Sequence, residues 1–314
     1  MAQRLFKRDT PFPPNARTIL PMPLVLTLVS PRDGASGRIA EAAPGGHGPV
    51  RNAGGKRWSV FERTIDPAAQ SDLADYLVET TPAEKTDWAI TPETGRRKRL
   101  LIADMDSTII GQECLDELAD FAGLKAEVSA ITERAMRGEL DFETALTTRV
   151  AMLRGLQLSA LQACYTERVT LNPGALALVS TMKRHGARCV LVSGGFSFFT
   201  TRVAAACGFD AERANTLLDD GARLTGAVGL PILGRQAKLA ALNEETATLD
   251  ATPADAIGMG DGANDLAMIK AAGLGVAYKA KPIVAAETQA RIEYTDLTAA
   301  LFFQGYRDDE IVGL

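Results

Sequence analysis

Hydrophobic positions in the C-terminal two thirds of the chain fall into short aliphatic runs, separated by long stretches with helical periodicity. The runs lie in RLLIADMD, RCVLVSGG, ADAIGMGD and GLGVAY. Short buried runs that alternate with helices are typical of a parallel sheet flanked by helices. We therefore predict an α/β core of three layers over residues 96–314.

The helical pattern is longest between the first and the second of these runs. Residues from Glu113 to about Leu171 contain DELADFAGL, VSAITERAMRG and DFETALTTRVAMLRGL, and none of these segments predicts a strand. Because the first run ends just before this region, its helices are expected to stand above the strand ends. We predict a helical cap, inserted into the core at about residues 113–171.

The first 95 residues have a different pattern. Five prolines before residue 24 and the glycine-rich sequence GGHGPVRNAGG predict weak order up to about residue 50, or order built around one strand at Leu24 to Val29. Farther on, RWSVFE predicts a strand, the pair Asp66-Pro67 predicts the start of a helix, and a further short strand follows. We predict a small α/β module over residues 1–95 that precedes the core.

Composition and charge narrow the classes of function. The 314 residues are 46% hydrophobic and carry a formal net charge of -5, with one dense basic run at Arg96 to Arg99. Because so acidic a chain is not typical of proteins that bind a nucleic-acid backbone, we predict no nucleic-acid partner and expect this run to be a solvated linker. Four cysteines without CxxC spacing and only two histidines indicate reduced thiols and no zinc site.

The sequence contains no membrane span, since no apolar stretch approaches the roughly 18 uninterrupted residues that a span needs. Basic residues before the apolar segment from Ile19 to Val29 superficially resemble a signal peptide. Pro21 and Pro23 interrupt this segment, however, and PLVLTLV is equally typical of a strand. The chain is therefore expected to be cytoplasmic, without a membrane partner.

Two aspartates end the first aliphatic run, in the sequence DMDST. Asp104 and Asp106 are two positions apart, which in extended backbone directs both side chains to the same side. A divalent cation would relieve their repulsion, and one carboxylate can act as a nucleophile while the other transfers protons. A turn or a calcium loop is the alternative, but Ile109 and Leu115 stand where a calcium loop needs glycine and glutamate.

Two further segments can hold phosphoryl oxygens. Ser193 and Gly194, at the end of RCVLVSGG, can offer a hydroxyl group and backbone N–H groups, although an exposed turn is an equal alternative. Ser193 lacks the G-x-S-x-G setting of a serine hydrolase. Lys238 lies near the start of a predicted helix, and on its own it is indistinguishable from an ordinary surface lysine.

The third run leads into GMGDGAND, where Asp261 and Asp265 flank Asn264 on a glycine-rich turn before a helix. The spacing also satisfies the loose dinucleotide fingerprint GxGxxA. A pyrophosphate would then face the carboxylate of Asp261, and the acidic residue expected about 20 positions later is not evident, so this alternative is weaker. Carboxylates in such a loop are better explained by a metal.

Four segments, taken in chain order, resemble the four signature motifs of the haloacid dehalogenase-like phosphatases: DMDST, SGG, Lys238 and GDGAND. The resemblance implies a Rossmann-like core, Mg²⁺ as the cofactor and an aspartyl-phosphate intermediate. The implied catalytic residues are Asp104 as nucleophile, Asp106 as acid and base, and Ser193 and Lys238 as phosphoryl clamps. The implied metal ligands are Asp104, the backbone carbonyl of Asp106, and Asp261, with Asn264 and Asp265 supporting the site.

The cap sequences GQECLDELA and AMRGELDFETALTTRVAMLRGL, within about residues 98–300, resemble the phosphoserine phosphatases of that superfamily. By this resemblance Glu113 would bind the substrate ammonium group and Arg149 its carboxylate, to which arginine offers a bidentate fork. The implied substrate-binding residues are Glu113, Met136, Phe142, Arg149, Ser193, Gly194 and Asn264. The implied reaction is the hydrolysis of O-phospho-L-serine to L-serine and phosphate, the last step of serine biosynthesis.

Two alternatives stay open at this point. The first is another phosphatase of the same superfamily, which acts on a different small phosphomonoester or transfers phosphate to an alcohol; the pair Glu113 and Arg149 disfavours it. The second is a non-catalytic protein that binds a metal or an amino acid, and the complete set of motif residues disfavours that. No motif identifies residues 1–95, which are expected to regulate activity or to form a homodimer.

Overall fold

A ten-stranded mixed sheet forms the centre of the molecule. The computed structural model describes residues 22–31, 35–54, 56–136 and 139–313, apart from the side chains of residues 133, 135 and 136. The strands are β1 Leu24–Ser30, β2 Gly46–Asn52, β3 Ser59–Ile65, β4 Asp87–Pro92, β5 Leu100–Ala103, β6 Arg188–Phe196, β7 Ala211–Asn215, β8 Leu217–Asp219, β9 Leu224–Val228, β10 Ala256–Gly260, β11 Leu274–Tyr278 and β12 Ala290–Ile292. Their order in the sheet is β2-β3-β1-β4-β12-β11-β10-β5-β6-β7, and β8 and β9 form a separate hairpin.

Helices cover both faces of the sheet and form the cap. They are α1 Ser36–Ala42, α2 Gln70–Thr80, α3 Cys114–Phe121, α4 Lys125–Met136, α5 Phe142–Met152, α6 Leu158–Arg168, α7 Ala175–Arg184, α8 Ser197–Cys207, α9 Arg235–Thr248, α10 Leu266–Ala271, α11 Pro282–Ala285 and α12 Ala299–Phe303. None of those that the structure describes is long and apolar enough to cross a membrane.

The core sheet consists of six parallel strands, from β12 through β11, β10, β5 and β6 to β7. Successive residues of the central strand β5 point to opposite faces, as strand geometry requires. Leu101 and Ala103 pack with α7, α8 and α12, whereas Leu100 and Ile102 pack with α9, α10 and α11. The predicted three-layer α/β core with a parallel sheet is confirmed.

The cap is helical and lies between β5 and β6 in the chain. It contains α3 to α6, and the described residues between Glu113 and Arg168 include no strand. The β8–β9 hairpin contacts the connection that follows α5, because Gly155 N–H donates to the Leu224 carbonyl at 2.8 Å and Leu224 N–H donates to Leu156 at 2.9 Å. The cap is therefore joined to the rest of the fold at three places: at its two chain ends and through these hydrogen bonds to the β8–β9 hairpin.

Strands β1 to β4 continue the core sheet. β4 pairs with β12 in the antiparallel direction, with Ala89 opposite Ala290. Next to this pair the buried Asp87 carboxylate accepts hydrogen bonds from the backbone N–H groups of residues 293–295, at 2.7 to 2.9 Å. The N-terminal segment is thus bonded edge to edge with the core, while its separate role as a module of residues 1–95 stays a prediction.

The glycine-rich segment is more regular than its composition predicts. β2 lies in GGHGPVRNAGG and pairs with β3, so the expectation of a single strand in the first 50 residues is wrong. Strand formation here depends on hydrogen bonds to β3, which composition does not reveal. The proline-rich residues 1–21, for which the sequence predicts weak order, lie outside the described residues.

The basic run is also not a solvated linker. The Arg96 guanidinium forms an ion pair of 2.6 Å with the buried Glu62, which lies on β3. Lys98 is buried, and its Nζ donates to the Ala254 carbonyl at 2.8 Å. Two of the four cations of this run therefore have buried partners. Arg96 contacts an N-terminal strand and Lys98 contacts the core, so the run helps to connect these two parts of the fold.

Candidate active site

Three of the predicted site segments lie at the carboxyl ends of neighbouring parallel strands. β5 lies between β10 and β6, and Asp104, Asp261 and Ser193 come at or near the ends of these strands. Asp104 N–H donates to the Met259 carbonyl at 3.0 Å, which holds the start of the loop after β5 against β10. The side chains converge because carboxyl ends of adjacent parallel strands share one edge of the sheet.

Lys238 is a buried residue of this site and not a surface lysine. Its side chain is 3% exposed, its Nζ lies 2.7 Å from Asp104 Oδ2, and it also bonds Asp265 Oδ1. Burial opposes its charge, but the attraction of Asp104 and Asp265 outweighs burial and raises the pKa of Lys238 above its ordinary value. The site therefore contains a permanent cation beside the first aspartate.

Three buried carboxylates form a group that fits a divalent cation. Asp104, Asp261 and Asp265 each offer an oxygen within 4.8 Å of the others. Burial and then the Asp265 carboxylate raise the pKa of Asp261 to about 6 and that of Asp104 well above its ordinary value. Within the described part of the chain, no group donates a hydrogen bond to the Asp261 carboxylate. Crowded oxygen ligands of this kind suit Mg²⁺.

Asp265 has a structural function within this group. Its Oδ1 bonds Lys238, and its Oδ2 accepts the N–H of Gly262 at 3.0 Å. Both of its oxygens are therefore engaged by the protein, and so are those of Asp104, whose Oδ1 accepts the N–H of Met105 at 2.8 Å while its Oδ2 contacts Lys238. Of the three carboxylates, that of Asp261 is the one most open to a metal. The sequence indicates only that Asp265 supports the site, and its contact with Lys238 was not predicted.

The Asp106 carboxylate has a different environment from that of Asp104. Ser193 Oγ donates to its Oδ2 at 3.3 Å, and Cys114 N–H donates to its Oδ1 at 3.0 Å. Burial and then the Glu113 carboxylate raise the pKa of Asp106 to about 7. This carboxylate lies outside the acidic group, and the predicted metal ligand at this residue, its backbone carbonyl, stays a prediction.

The turn at the end of β6 lies between the aspartates and the cap. Gly195 N–H donates to the buried Ser193 Oγ at 2.8 Å. A Cβ atom at Gly195 would come within 2.8 Å of Asp106 Oδ2, so only glycine lets the backbone approach so closely. A Cβ atom at Gly194 would lie 3.2 Å from the Phe142 ring. Phe142 of the cap therefore lies against this turn, while its contact with a substrate stays a prediction.

The two cap residues predicted to bind charged groups both lie close enough to Asp106 to influence its charge. Ser107 Oγ donates to Glu113 Oε1 at 2.7 Å, and Glu113 is exposed. Arg149 is half-buried, and its guanidinium donates to the Ala145 carbonyl at 3.1 Å and to Thr132 Oγ1 at 3.2 Å. Burial lowers the pKa of Arg149, and Asp116, Glu113 and Asp106 oppose this shift. Both Glu113 and Arg149 are thus within electrostatic range of the aspartate site.

Two substrate-binding predictions are not decided by these contacts. The side chain of Met136 lies outside the described residues. Asn264 is half-buried, and its Oδ1 lies against Gly262, so closely that an added Cβ atom there would clash with it. Contact of either residue with the substrate stays a prediction.

Asn172 is a site-supporting residue that the sequence did not reveal. Its Nδ2 donates to the carbonyl groups of Thr108 at 2.8 Å and Ile110 at 3.0 Å. It therefore joins the two connections between core and cap and fixes the loop that follows Asp106. The sequence Asn-Pro-Gly after α6 marks a turn, but a turn signal does not identify partners 62 and 64 residues away.

A buried aspartate in contact with a lysine, at the carboxyl edge of a parallel sheet and below a helical cap, defines the class of capped α/β phosphoryl-transfer hydrolases. The sequence model of haloacid dehalogenase-like hydrolases matches residues 101–270. The chain belongs to this family.

Individual relatives extend the comparison. A phosphoserine phosphatase from Polaromonas sp. (strain JS666) is 49% identical over 191 residues, which cover 59% of this chain and 81% of that protein. Among solved structures, a haloacid dehalogenase family hydrolase from Salmonella enterica serovar Typhi superposes with a TM-score of 0.81 at 29% identity, over 89% of this chain and 98% of that one. A phospho-aspartyl intermediate analogue of phosphoserine phosphatase superposes with a TM-score of 0.62 at 35% identity, over 66% of this chain and 99% of that one.

Proposed function

We propose that the chain is a Mg²⁺-dependent phosphatase that hydrolyses O-phospho-L-serine to L-serine and phosphate through an aspartyl phosphate on Asp104. The observation that carries this proposal is the contact of 2.7 Å between Asp104 Oδ2 and Lys238 Nζ, beside the Ser193 turn and below the cap. The phosphoserine phosphatases among its relatives support the choice of substrate.

In the first half of the reaction, a carboxylate oxygen of Asp104 attacks phosphorus, and the bond from phosphorus to the seryl oxygen breaks. The leaving oxygen needs a proton, and the protonated carboxyl of Asp106 donates it. A pKa of about 7 for Asp106 suits this step, because the acid form is then present near neutral pH. Lys238 and the Ser193 hydroxyl bind the oxygens of the transferred group.

In the second half, Asp106 is a carboxylate and accepts a proton from water as the water oxygen attacks the phosphorus of the aspartyl phosphate. The acyl–phosphate bond breaks, phosphate leaves and Asp104 is regenerated. Asp106 returns to its acid form, so no net proton is lost from the protein. The separate surroundings of the two aspartates support this division of labour.

The residues that would hold Mg²⁺ are Asp104, Asp261 and the backbone carbonyl of Asp106, with Asp265 holding Lys238 beside them. When bound, the cation supplies charge neutralisation for the phosphoryl group and its buried carboxylates. The fit rests on the carboxylate oxygens of Asp104, Asp261 and Asp265, which lie within 4.8 Å of one another.

Substrate choice would depend on the cap. Glu113 and Arg149 would offer opposite charges to the ammonium and carboxylate groups of phosphoserine, and Phe142, whose ring lies next to Gly194, would cover the bound substrate. Within a cell this reaction would be the last step of serine biosynthesis, in the cytoplasm. Residues 1–95 would act in regulation or in forming a homodimer.

A panel of phosphorylated metabolites tests the substrate assignment. Phosphate release would be measured for each compound, with and without Mg²⁺, with Asp104→Asn protein as the background control. Phosphoserine should have the highest kcat/KM. A higher value for another phosphomonoester, or transfer to an added alcohol in place of hydrolysis, would favour the alternative activity within the same superfamily.

A further inference from the structure

Asn215 is a buried amide at the end of β7 that bonds two segments of the site. Its side chain is 2% exposed. Nδ2 donates to the Gly194 carbonyl at 2.9 Å and to the Leu233 carbonyl at 3.3 Å, and Oδ1 accepts the N–H of Leu233 at 2.7 Å. One side chain therefore uses both its donor and its acceptor atoms on main-chain groups.

The first of these segments is the turn that follows the regular part of β6. Val192 is paired with Arg213 and Phe196 with Asn215, so four steps along β6 correspond to two along β7. The intervening residues 193–195 bulge out of the ladder, and this irregularity brings Ser193 to Asp106. Because the bulge interrupts the regular ladder here, the Asn215 amide provides the hydrogen bond to the Gly194 carbonyl.

The second segment leads into α9. Leu233 precedes Gly234, the residue before α9, and Lys238 lies in the first turns of that helix. A Cβ atom at Gly234 would lie 3.6 Å from the Phe142 ring, so this segment also borders the cap. Asn215 thus connects the turn that carries Ser193 with the start of the helix that carries Lys238.

We infer that Asn215 is a positioning residue for the phosphoryl group: it sets the separation between the Ser193 turn and the start of α9, and so aligns Ser193 and Lys238 on the same phosphoryl oxygens. This inference rests on the proposed function. Asn215 does not touch the reacting atoms. Aspartate would have the same shape but no donor, and its charge would face two carbonyl groups, so the link to Gly194 would be lost.

Inhibition by the two products, measured separately, tests this role. In the Asn215→Asp enzyme, kcat/KM for phosphoserine should fall roughly ten- to hundred-fold, as expected for loss of a buried hydrogen bond. The inhibition constant of inorganic phosphate should rise by a similar factor. That of L-serine should change less than about twofold, because L-serine has no phosphoryl group to align. A matched control is Asn243→Asp, an exposed position on α9, which should leave all three values unchanged.

Equal losses of affinity for phosphate and L-serine would show a general structural role and overturn the inference. The inference would also be overturned if Asn215→Asp bound phosphate as tightly as the Asn243→Asp control does. If Asn215→Asp does not fold, Asn215→Ser is judged by the same criteria, since the smaller side chain introduces no charge. If the wild type prefers another phosphomonoester, the proposed substrate is wrong, but the comparison of phosphate affinities still decides the role of Asn215.

Discussion

Lys238 Nζ lies 2.7 Å from Asp104 Oδ2, and the same ammonium group bonds Asp265. All three side chains are buried, and among the described residues no other protein cation forms an ion pair with either carboxylate. Burial favours a protonated Asp104, and the contact with Lys238 opposes this effect. The ion pair therefore helps to keep Asp104 in the charged form that a nucleophile needs.

Replacing Lys238 by methionine should lower both activity and stability. Removal of one partner of a buried ion pair leaves an uncompensated charge and costs about 3–5 kcal/mol of unfolding free energy. Added Mg²⁺ should recover part of this loss, because a cation in the acidic group can replace the missing charge. Chemical denaturation with and without Mg²⁺ measures both effects.

The matched control for this prediction is Lys270→Met. Lys270 pairs with Glu287 at 2.7 Å, but both side chains are at least half exposed, and such pairs contribute about 0–1 kcal/mol. Similar losses of stability in the two variants would mean that the Lys238 ion pair is not an important part of the site.

Removal of metal should abolish turnover. The carboxylates of Asp104, Asp261 and Asp265 lie too close together to receive a phosphoryl group without a cation. Dialysis against excess chelator should eliminate phosphate release, and Mg²⁺ should restore it, whereas the larger and looser coordination of Ca²⁺ should support little activity. Full activity in chelator after complete metal removal would rule out the metal-dependent mechanism.

Arg149→Ala should change selectivity more than general catalysis. Loss of a charge-assisted contact to the substrate carboxylate costs on the order of 2–5 kcal/mol, so kcat/KM for phosphoserine should fall by tens-fold or more. An aryl phosphate has no carboxylate and should lose far less. Arg154→Ala, an exposed arginine beyond the end of α5, is the control and should affect neither substrate. Equal losses on both substrates in Arg149→Ala would assign Arg149 a structural role.

The pH dependence of the first step should report Asp106. Burial and the Glu113 carboxylate raise its pKa to about 7, so the acid form needed for leaving-group protonation dominates below that pH and declines above it. Formation of the intermediate from phosphoserine should therefore slow by roughly tenfold for each pH unit well above 7. An aryl phosphate with a good leaving group should show no such decline. Rapid-quench kinetics between pH 6 and 9 would detect the difference, and parallel profiles for the two substrates would contradict it.

The sequence predicted which polar side chains lie at the carboxyl edge of the sheet, because these residues come at or near the ends of the strands. Asp104, Ser193 and Asp261 each come at the end of a recognisable aliphatic run. The separate environments of Asp104 and Asp106 were not predictable from their spacing. Extended backbone would direct both carboxylates to one side, but β5 ends at Ala103, and a turn begins at Met105, between the two aspartates.

Residues that act through tertiary contacts were harder to predict. Lys238 was recognisable only through a family resemblance, because nothing local distinguishes a buried lysine from an exposed one. Asn172 and Asn215 bond main-chain atoms of segments distant in sequence. The basic run at Arg96 to Arg99 looked solvated because its partner on β3, Glu62, is 34 residues away from Arg96. Such partners become visible only in the folded chain.

The most direct test of the central claim is to locate the phosphate during turnover. Phosphoserine would be mixed with the Mg²⁺-loaded enzyme, the reaction would be acid-quenched within one turnover, and the labelled peptide would be mapped. We predict one phosphate on Asp104 in the wild type and no phosphoenzyme in Asp104→Asn. In Asp106→Asn, an activated aryl phosphate should still form the phosphoenzyme, which should then persist. Phosphate found on Ser193, or on Asp106, would contradict the mechanism even if phosphoserine proved to be the substrate.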